Sequence, residues 1–345
     1  MQALDQAAVA SPARATATTG TSRRLAIVVV AAVLLVGGVV LSLALGVREV
    51  AFGETWRALV DPVAGNVDHA VIRGQRVPRT IIAVLAGLAL ALAGVLAQGV
   101  TRNPLADPGL LGLNAGAALG IVVAATGFGV VTAVGAIWFA FLGAGLAAVV
   151  VFAIGHGRPV QLALAGATLT ALMAPLSNLL LFRDVDALNQ LRFWAVGALN
   201  GRDIDAVAVL WPFIVGGVVI ALLMAHRLNG LALGDDVAAA LGQSVGRTRA
   251  LAGVAIIGLA GAATALAGPI ALVGLAVPHA ARRLVGSDYR WIVPLSALLG
   301  PVMLLAADII GRLVKADELE AGVVAALLGA PVLIAVARGR RVAGL

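Results

Sequence analysis

Apolar residues dominate the chain in long blocks separated by short polar clusters. Leu25–Leu45 carries no charged side chain over 21 residues, about the length a helix needs to cross the hydrocarbon of a bilayer. Uncharged runs follow at 80–101, 109–155, 159–182, 207–225, 250–281, 291–307 and 321–337. The 47 residues of 109–155 must turn once, and the turn is expected near Gly127–Gly129. The 250–281 run is too short for two full crossings. Its 32 residues reach about 48 Å as a helix, against about 60 Å for two spans. Gly268–Pro269 offers a break, so this run is expected to form a hairpin of one full and one short helix. The pattern predicts ten spans and an all-α polytopic membrane protein. Residues 1–24 are rich in Ala, Thr and Ser, carry Arg14, Arg23 and Arg24, and read as a disordered tail. The apolar run behind them exceeds the roughly 7–15 residues of a signal-peptide core, so it is read as a retained first span of a permease domain over 25–341.

Composition removes the competing classes. The chain is 61% hydrophobic and 12% charged, whereas soluble domains are about 45–50% apolar and about 25% charged. A net charge of +7 is scattered between apolar runs and not gathered into the patch a nucleic acid requires. There is no Cys, so thiolate metal sites and cysteine nucleophiles are excluded. His69, His156, His226 and His279 lie too far apart in sequence to form a helical ligand pair, and no metal site is expected.

Charge also orients the spans. With the N-terminus inside, the ten-span reading places 14 basic and five acidic residues in cytoplasmic segments, against ten and eleven outside, with Asp308 in a span. Basic residues near span ends favour the cytoplasm. Both termini are therefore expected there, in a bacterial plasma membrane.

Five polar constellations interrupt the apolar background. In Arg73-Gly-Gln-Arg76-Val-Pro78-Arg79, Pro78 suits the first turn of a helix. Arg76 and Arg79, three apart, share one face and could either anchor at the interface or offer guanidinium forks to carboxylates of an extracytoplasmic partner. Gln98 to Gly112 contains Asn103, Pro104, Asp107 and Pro108, the residues of a tight turn between two spans. Gly274 to Gly286 contains Pro278, His279, Arg282 and Arg283, with His279 either a structural group or a proton relay. Asp308 precedes Arg312 by four residues, a spacing that lets the two neutralise each other. Finally, Leu233, Gly234, Asp235, Asp236, Ala239, Leu241 and Gly242 belong to a segment with a cap, an acidic first turn, a short helix and a glycine stop. A bare loop would suffice to join two spans, so this element reads as a docking helix for a cytoplasmic protein.

Arg76-Val-Pro-Arg79, Gln98…Asn103-Pro-Leu-Ala-Asp-Pro-Gly-Leu-Leu-Gly112, Pro278-His279…Arg282, Ala307-Asp308…Arg312 and Gly329-Ala-Pro331 resemble, in order, the motifs of the permeases of iron-siderophore, haem and vitamin B12 ABC importers. The resemblance covers about residues 25–338. It implies a type II importer fold of ten helices per subunit, two permease subunits (identical or paralogous) around one path, and two cytoplasmic ATPase subunits that bind ATP and Mg. It implies docking of a substrate-binding protein on Arg76, Arg79 and Arg312, coupling to the ATPase through residues 231–246, and a cytoplasmic gate near His156–Gln161. Ferric siderophore is the cargo it implies first, with haem and cobalamin behind. One departure stands out: Glu320 occupies a position where the family usually has proline.

No phosphate loop of the Gly-x-x-x-x-Gly-Lys-[Ser/Thr] type occurs, so ATP chemistry must belong to a partner; no catalytic residue and no cofactor of its own is expected. Aromatics make up only 4% of the chain, which suits a path that binds cargo weakly. The alternative reading is an ion-coupled secondary transporter relaying protons through Asp308 and His279. The string Ala-Leu-Ala-Gly occurs at 91–94 and again at 265–268, in spans of opposite direction, as an inverted repeat would require.

Overall fold

A computed structural model describes residues 20–130, 132–155, 159–182, 188, 191–192, 194–202, 204–314 and 318–339. The tail up to residue 19, residues 156–158 of the expected gate, Lys315 and residues 340–345 lie outside the described residues.

Among the described residues every regular element is helical. In chain order these are α1 (Thr21–Ala44), α2 (Phe52–Val60), α3 (Val67–Val71), α4 (Val77–Thr101), α5 (Leu113–Phe128), α6 (Ala133–Gly155), α7 (Pro159–Leu181), α8 (Asp205–Ala232), α9 (Asp235–Ala240), α10 (Val245–Ala267), α11 (Val273–Val285), α12 (Tyr289–Val314) and α13 (Ala321–Gly339). α1, α4, α6, α7, α8, α10 and α12 are long and apolar enough to cross a membrane, and α5 and α13 are shorter apolar helices. With the 13-residue α11 they account for the ten apolar helices that the uncharged runs required, three of them shorter than a full crossing.

The two inferred turns form where glycine permits them. α10 stops at Ala267, Gly268 leaves the helix with φ 76°, and α11 begins at Val273. α5 ends on Gly129 with φ 64°. The 250–281 block is thus one full helix and one short one, because neither length nor backbone allowed two complete crossings.

α4 and α10 are buried along most of their length, while α1 is exposed along most of its own. The exposed face of α1 is apolar, with Val29, Val33, Val36 and Val40 outward, as expected of a helix whose solvent is lipid. The centre is held by backbone contact at small residues. A Cβ on Gly94 of α4 would lie 1.8 Å from Gly274 O of α11, and one on Gly87 would lie 2.6 Å from Gly300 O of α12. Only glycine allows such crossings. The repeated Ala-Leu-Ala-Gly string serves unlike ends: inside α4 its glycine makes the Gly274 contact, whereas at 265–268 it terminates α10. It gives no support to an inverted repeat.

Candidate functional site

One end of the bundle gathers arginines around the last turn of α1. The final carbonyls of a helix have no partner within it, and α1 has no basic residue in its own last turn. The donors come from far along the chain. Arg76 Nη1 donates to Leu43 O at 2.9 Å and Ala44 O at 2.7 Å, and its Nη2 donates to Arg48 O. Arg312 Nη1 donates to Ser42 O and Leu45 O, each at 2.9 Å. Two guanidinium groups therefore cap the negative end of the α1 dipole. Ser42 Oγ completes the seam, 2.8 Å from Arg312 Nη2 and 2.7 Å from Thr80 Oγ1.

Arg79 binds carboxylates. Its Nε donates to Asp308 Oδ1 at 2.7 Å and its Nη1 to Glu318 Oε2 at 2.6 Å. Arg312 Nη2 takes the other Asp308 oxygen, so the neutralising pair expected at four-residue spacing is present with a third member. Asp308 is fully buried, and a charge in that position is tolerable only when paired and hydrogen-bonded. A π-helical turn at Ile72–Arg76 joins α3 to α4 and sets the roll of Arg76 and Arg79 at the head of α4; such turns recur at functional sites.

The sequence placed these forks on the outer surface, free for a partner. In the structure Arg76, Arg79 and Arg312 are only 5%, 6% and 5% exposed. The reason is that α1's orphan carbonyls and the Asp308 carboxylate would otherwise be buried without donors, at a cost of several kcal/mol. Their outer edges still line a cleft of about 210 Å³, with Gln75, Asn200 and Glu318. Glu320 lies beside it. Burial pushes its carboxyl above the usual range, against the pull of Arg79 and Arg202. Its carbonyl accepts from Val323 N and Val324 N and starts α13, so the departure from proline leaves the helix start intact.

The opposite end carries the short helix α9. Gly234, at φ 112°, precedes it, and Gly242, at φ 79°, follows it. Asp235 in its first turn meets Arg102 Nη2 at 3.3 Å and Arg249 Nη2 at 3.0 Å. Ala238 is buried against the bundle, while Asp236 and Ala239 face outward. Leu233, Val237 and Leu241 are 65%, 45% and 69% exposed, an apolar stripe at four-residue spacing. Beside it opens a cleft of about 570 Å³ lined by His226, Arg227, Arg247 and Gln243. Gln243 ties the segment down through Arg227 O and Thr248 Oγ1.

The turn after α4 is held by its own side chains. Asn103 Oδ1 accepts from Leu105 N at 3.0 Å, and Asp107 Oδ1 accepts from Gly109 N at 2.7 Å, with Pro108 opening a short 3-10 turn. Burial pushes the Asp107 carboxyl up, and the Gly109 N–H opposes it. Pro104 lies inside the first of these two turns, between Asn103 and Leu105. In α11, Pro278 is buried. Arg282 donates through both terminal nitrogens to Gln98 Oε1 at 2.6 Å, and Gln98 Nε2 donates to Gly274 O at 3.2 Å. Between α11 and α12, Asp288 is held down at about 2, first by Arg290 and also by Asn229.

Asp308 and His279 do not come together. Asp308 is spent on Arg79 and Arg312, while His279 sits on α11 one turn before Arg282, toward the other end. Sequence reading missed Ser42, Glu318 as a partner of Arg79, Arg102 as a partner of Asp235, and the Gln98–Arg282 bond. Ser42 alone carried a signal, as the single polar side chain in Leu25–Leu45.

The sequence profile of the FecCD transport family matches residues 33–339. The ferric enterobactin transport system permease protein FepD of Escherichia coli is 43% identical over 311 residues, covering 88% of this chain and 92% of FepD. The iron(3+)-hydroxamate import system permease protein FhuB of Bacillus subtilis is 37% identical over 310 residues, covering 88% of this chain and 80% of FhuB. Among solved structures, an inward-facing metal-chelate type ABC transporter superposes with a TM-score of 0.79 at 29% identity, over 90% of this chain and 97% of that one.

Proposed function

The chain belongs to the FecCD transport family, the permease subunits of ABC importers in the inner membrane, and from that premise we propose how this one works and what it carries. It imports ferric siderophores through a path between two permease subunits, powered by two separate ATPase subunits that hold ATP and Mg. The observation that carries this reading is α9: a six-residue helix between two spans, with Val237 outward and the exposed Leu233 and Leu241 flanking it on either side. Burying that stripe on a cytoplasmic partner would remove about 0.8 kcal/mol worth of exposed surface for each methylene covered. α9 then faces the cytoplasm, as do both termini, and residues 231–246 receive the motion of the ATPase. The cargo assignment draws on relatives whose names are those of ferric enterobactin and iron hydroxamate permeases.

The arginine end faces the other compartment. A binding protein docks there by inserting acidic side chains into the cleft lined by Arg76, Arg79 and Arg312. Complementary charge of this kind steers encounter and makes affinity sensitive to salt.

The test is reconstitution into vesicles with a partner ATPase and a substrate-binding protein. Uptake of ferric siderophore should require hydrolysable ATP inside the vesicle. Uptake that continues without the ATPase and collapses with a protonophore would overturn the reading in favour of ion coupling.

A further inference from the structure

Arg102 ends α4 in the left-handed region, at φ 51° and ψ 27°. Glycine or asparagine normally fills such a position, and another side chain held there is strained. The cost is set against one contact. The Arg102 guanidinium reaches Asp235 Oδ1 at 3.3 Å and lies over Gly234, where a Cβ would stand 3.7 Å from Arg102 Nη1. Asp235 Oδ2 takes Arg249 Nη2 of α10 at 3.0 Å. One carboxylate at the start of α9 therefore grips the ends of α4 and α10, the two helices buried most fully in the bundle.

This grip does little for stability. Arg102 and Asp235 are 44% and 37% exposed, and a pair so open to solvent is screened and contributes little, no more than the strain it accompanies. Its geometry matters more. From Arg102 back to Arg79, α4 is an unbroken rod of about 35 Å. Arg79 is fastened at its far end to Asp308 and Glu318, and Gln98 fastens it to Arg282 on the way.

We propose that Arg102, Asp235 and Arg249 form the fastener through which displacement of α9 is delivered to α4 and α10, and so to the arginine end. Arg102 is a positioning residue in this scheme, strained so that its fork meets α9. The proposal rests on the reading of α9 as the ATPase-docking helix.

The test uses the complete complex of permease, ATPase and binding protein in vesicles. Arg102→Gly retains the left-handed helix end, relieves its strain and removes only the fork. The variant should capture ATPase in the wild-type ratio and melt no lower than wild type. The ratio of binding-protein-stimulated to unstimulated ATP hydrolysis should fall by about fivefold or more, the low end of ordinary coupling between sites. Arg102→Lys should recover part of that ratio. A stimulation ratio for Arg102→Gly within about 1.5-fold of wild type, a negligible coupling change, would overturn the proposal. So would a parallel fall in melting temperature and captured ATPase, which marks a merely structural role. Failure of the underlying reading shows elsewhere, as a wild-type chain that captures no ATPase.

Discussion

Arg312 and Ser42 lie 270 positions apart, yet Arg312 Nη1 donates to the Ser42 carbonyl at 2.9 Å and Nη2 to its hydroxyl at 2.8 Å. The same guanidinium holds Asp308, which holds Arg79. α1, α4 and α12 are thereby joined at one end by charge-assisted bonds. The least buried span is attached where its own sequence offers no cap.

Replacing Asp308 separates structure from relay. Asp308→Ala would leave Arg79 and Arg312 facing each other in a buried site, and breaking such a pair costs about 3–5 kcal/mol. The detergent-solubilised protein should melt well below wild type. Asp308→Asn keeps one of the two acceptors but sets an amide N–H against a guanidinium donor, so it should melt below wild type, though less far than the Ala variant, and should still transport. An Asn variant that melts above the Ala variant but transports nothing would return Asp308 to the role of proton carrier.

Arg76→Lys tests the cap on α1. Arg76 reaches the carbonyls of Leu43, Ala44 and Arg48 at once, a spread a planar fork can serve and a single ammonium cannot. Losing one or two of these bonds should cost about 0.5–1.5 kcal/mol each. Hydrogen exchange should speed up over residues 41–48 while the α4 centre stays protected. Uniform loss of protection would show that Arg76 supports the whole bundle instead.

Gly94→Ala probes the central crossing. Its Cβ would stand 1.8 Å from Gly274 O, a backbone atom that cannot rotate away, so α4 and α11 would have to part. Overpacking typically costs about 1–3 kcal/mol, and displacement of two backbones belongs at the upper end. The Gln98–Gly274 and Gln98–Arg282 bonds four residues on should be lost with it. Folded yield should fall sharply, whereas Gly53→Ala on α2, which meets nothing within 4 Å, should be neutral.

What could be read from the sequence was local. Uncharged runs fixed the spans, and the arithmetic of 250–281 required the break that falls at Gly268. Asn103 and Asp107 act on backbone two residues away, within reach of a turn rule. The arginine cluster was legible as residue types and not as partners. Arg76 reads as an outward fork because nothing near it in sequence reveals the bare carbonyls of α1, 32 and 33 residues earlier. The Gly94–Gly274 contact was hidden for the same reason: a glycine's close approach belongs to two helices, and each sequence shows only its own half.

Glu320 supplies a prediction with a sign. Burial raises its carboxyl above 4.5, and Arg79 and Arg202 only partly offset this. A group whose pKa is higher folded than unfolded favours the fold below the unfolded value and loses that contribution as pH rises through the folded one. At neutral pH the charged Glu320 is therefore a net burden on the fold. Glu320→Gln should melt higher than wild type at pH 7, and the gap should close as the pH is lowered through 4.5. Glu320→Pro should behave similarly, because the residue gives α13 only its carbonyl. Melting curves of the three proteins between pH 4 and pH 8 decide it. A Gln variant less stable than wild type at pH 7 would mean that the attraction of Arg79 and Arg202 outweighs desolvation.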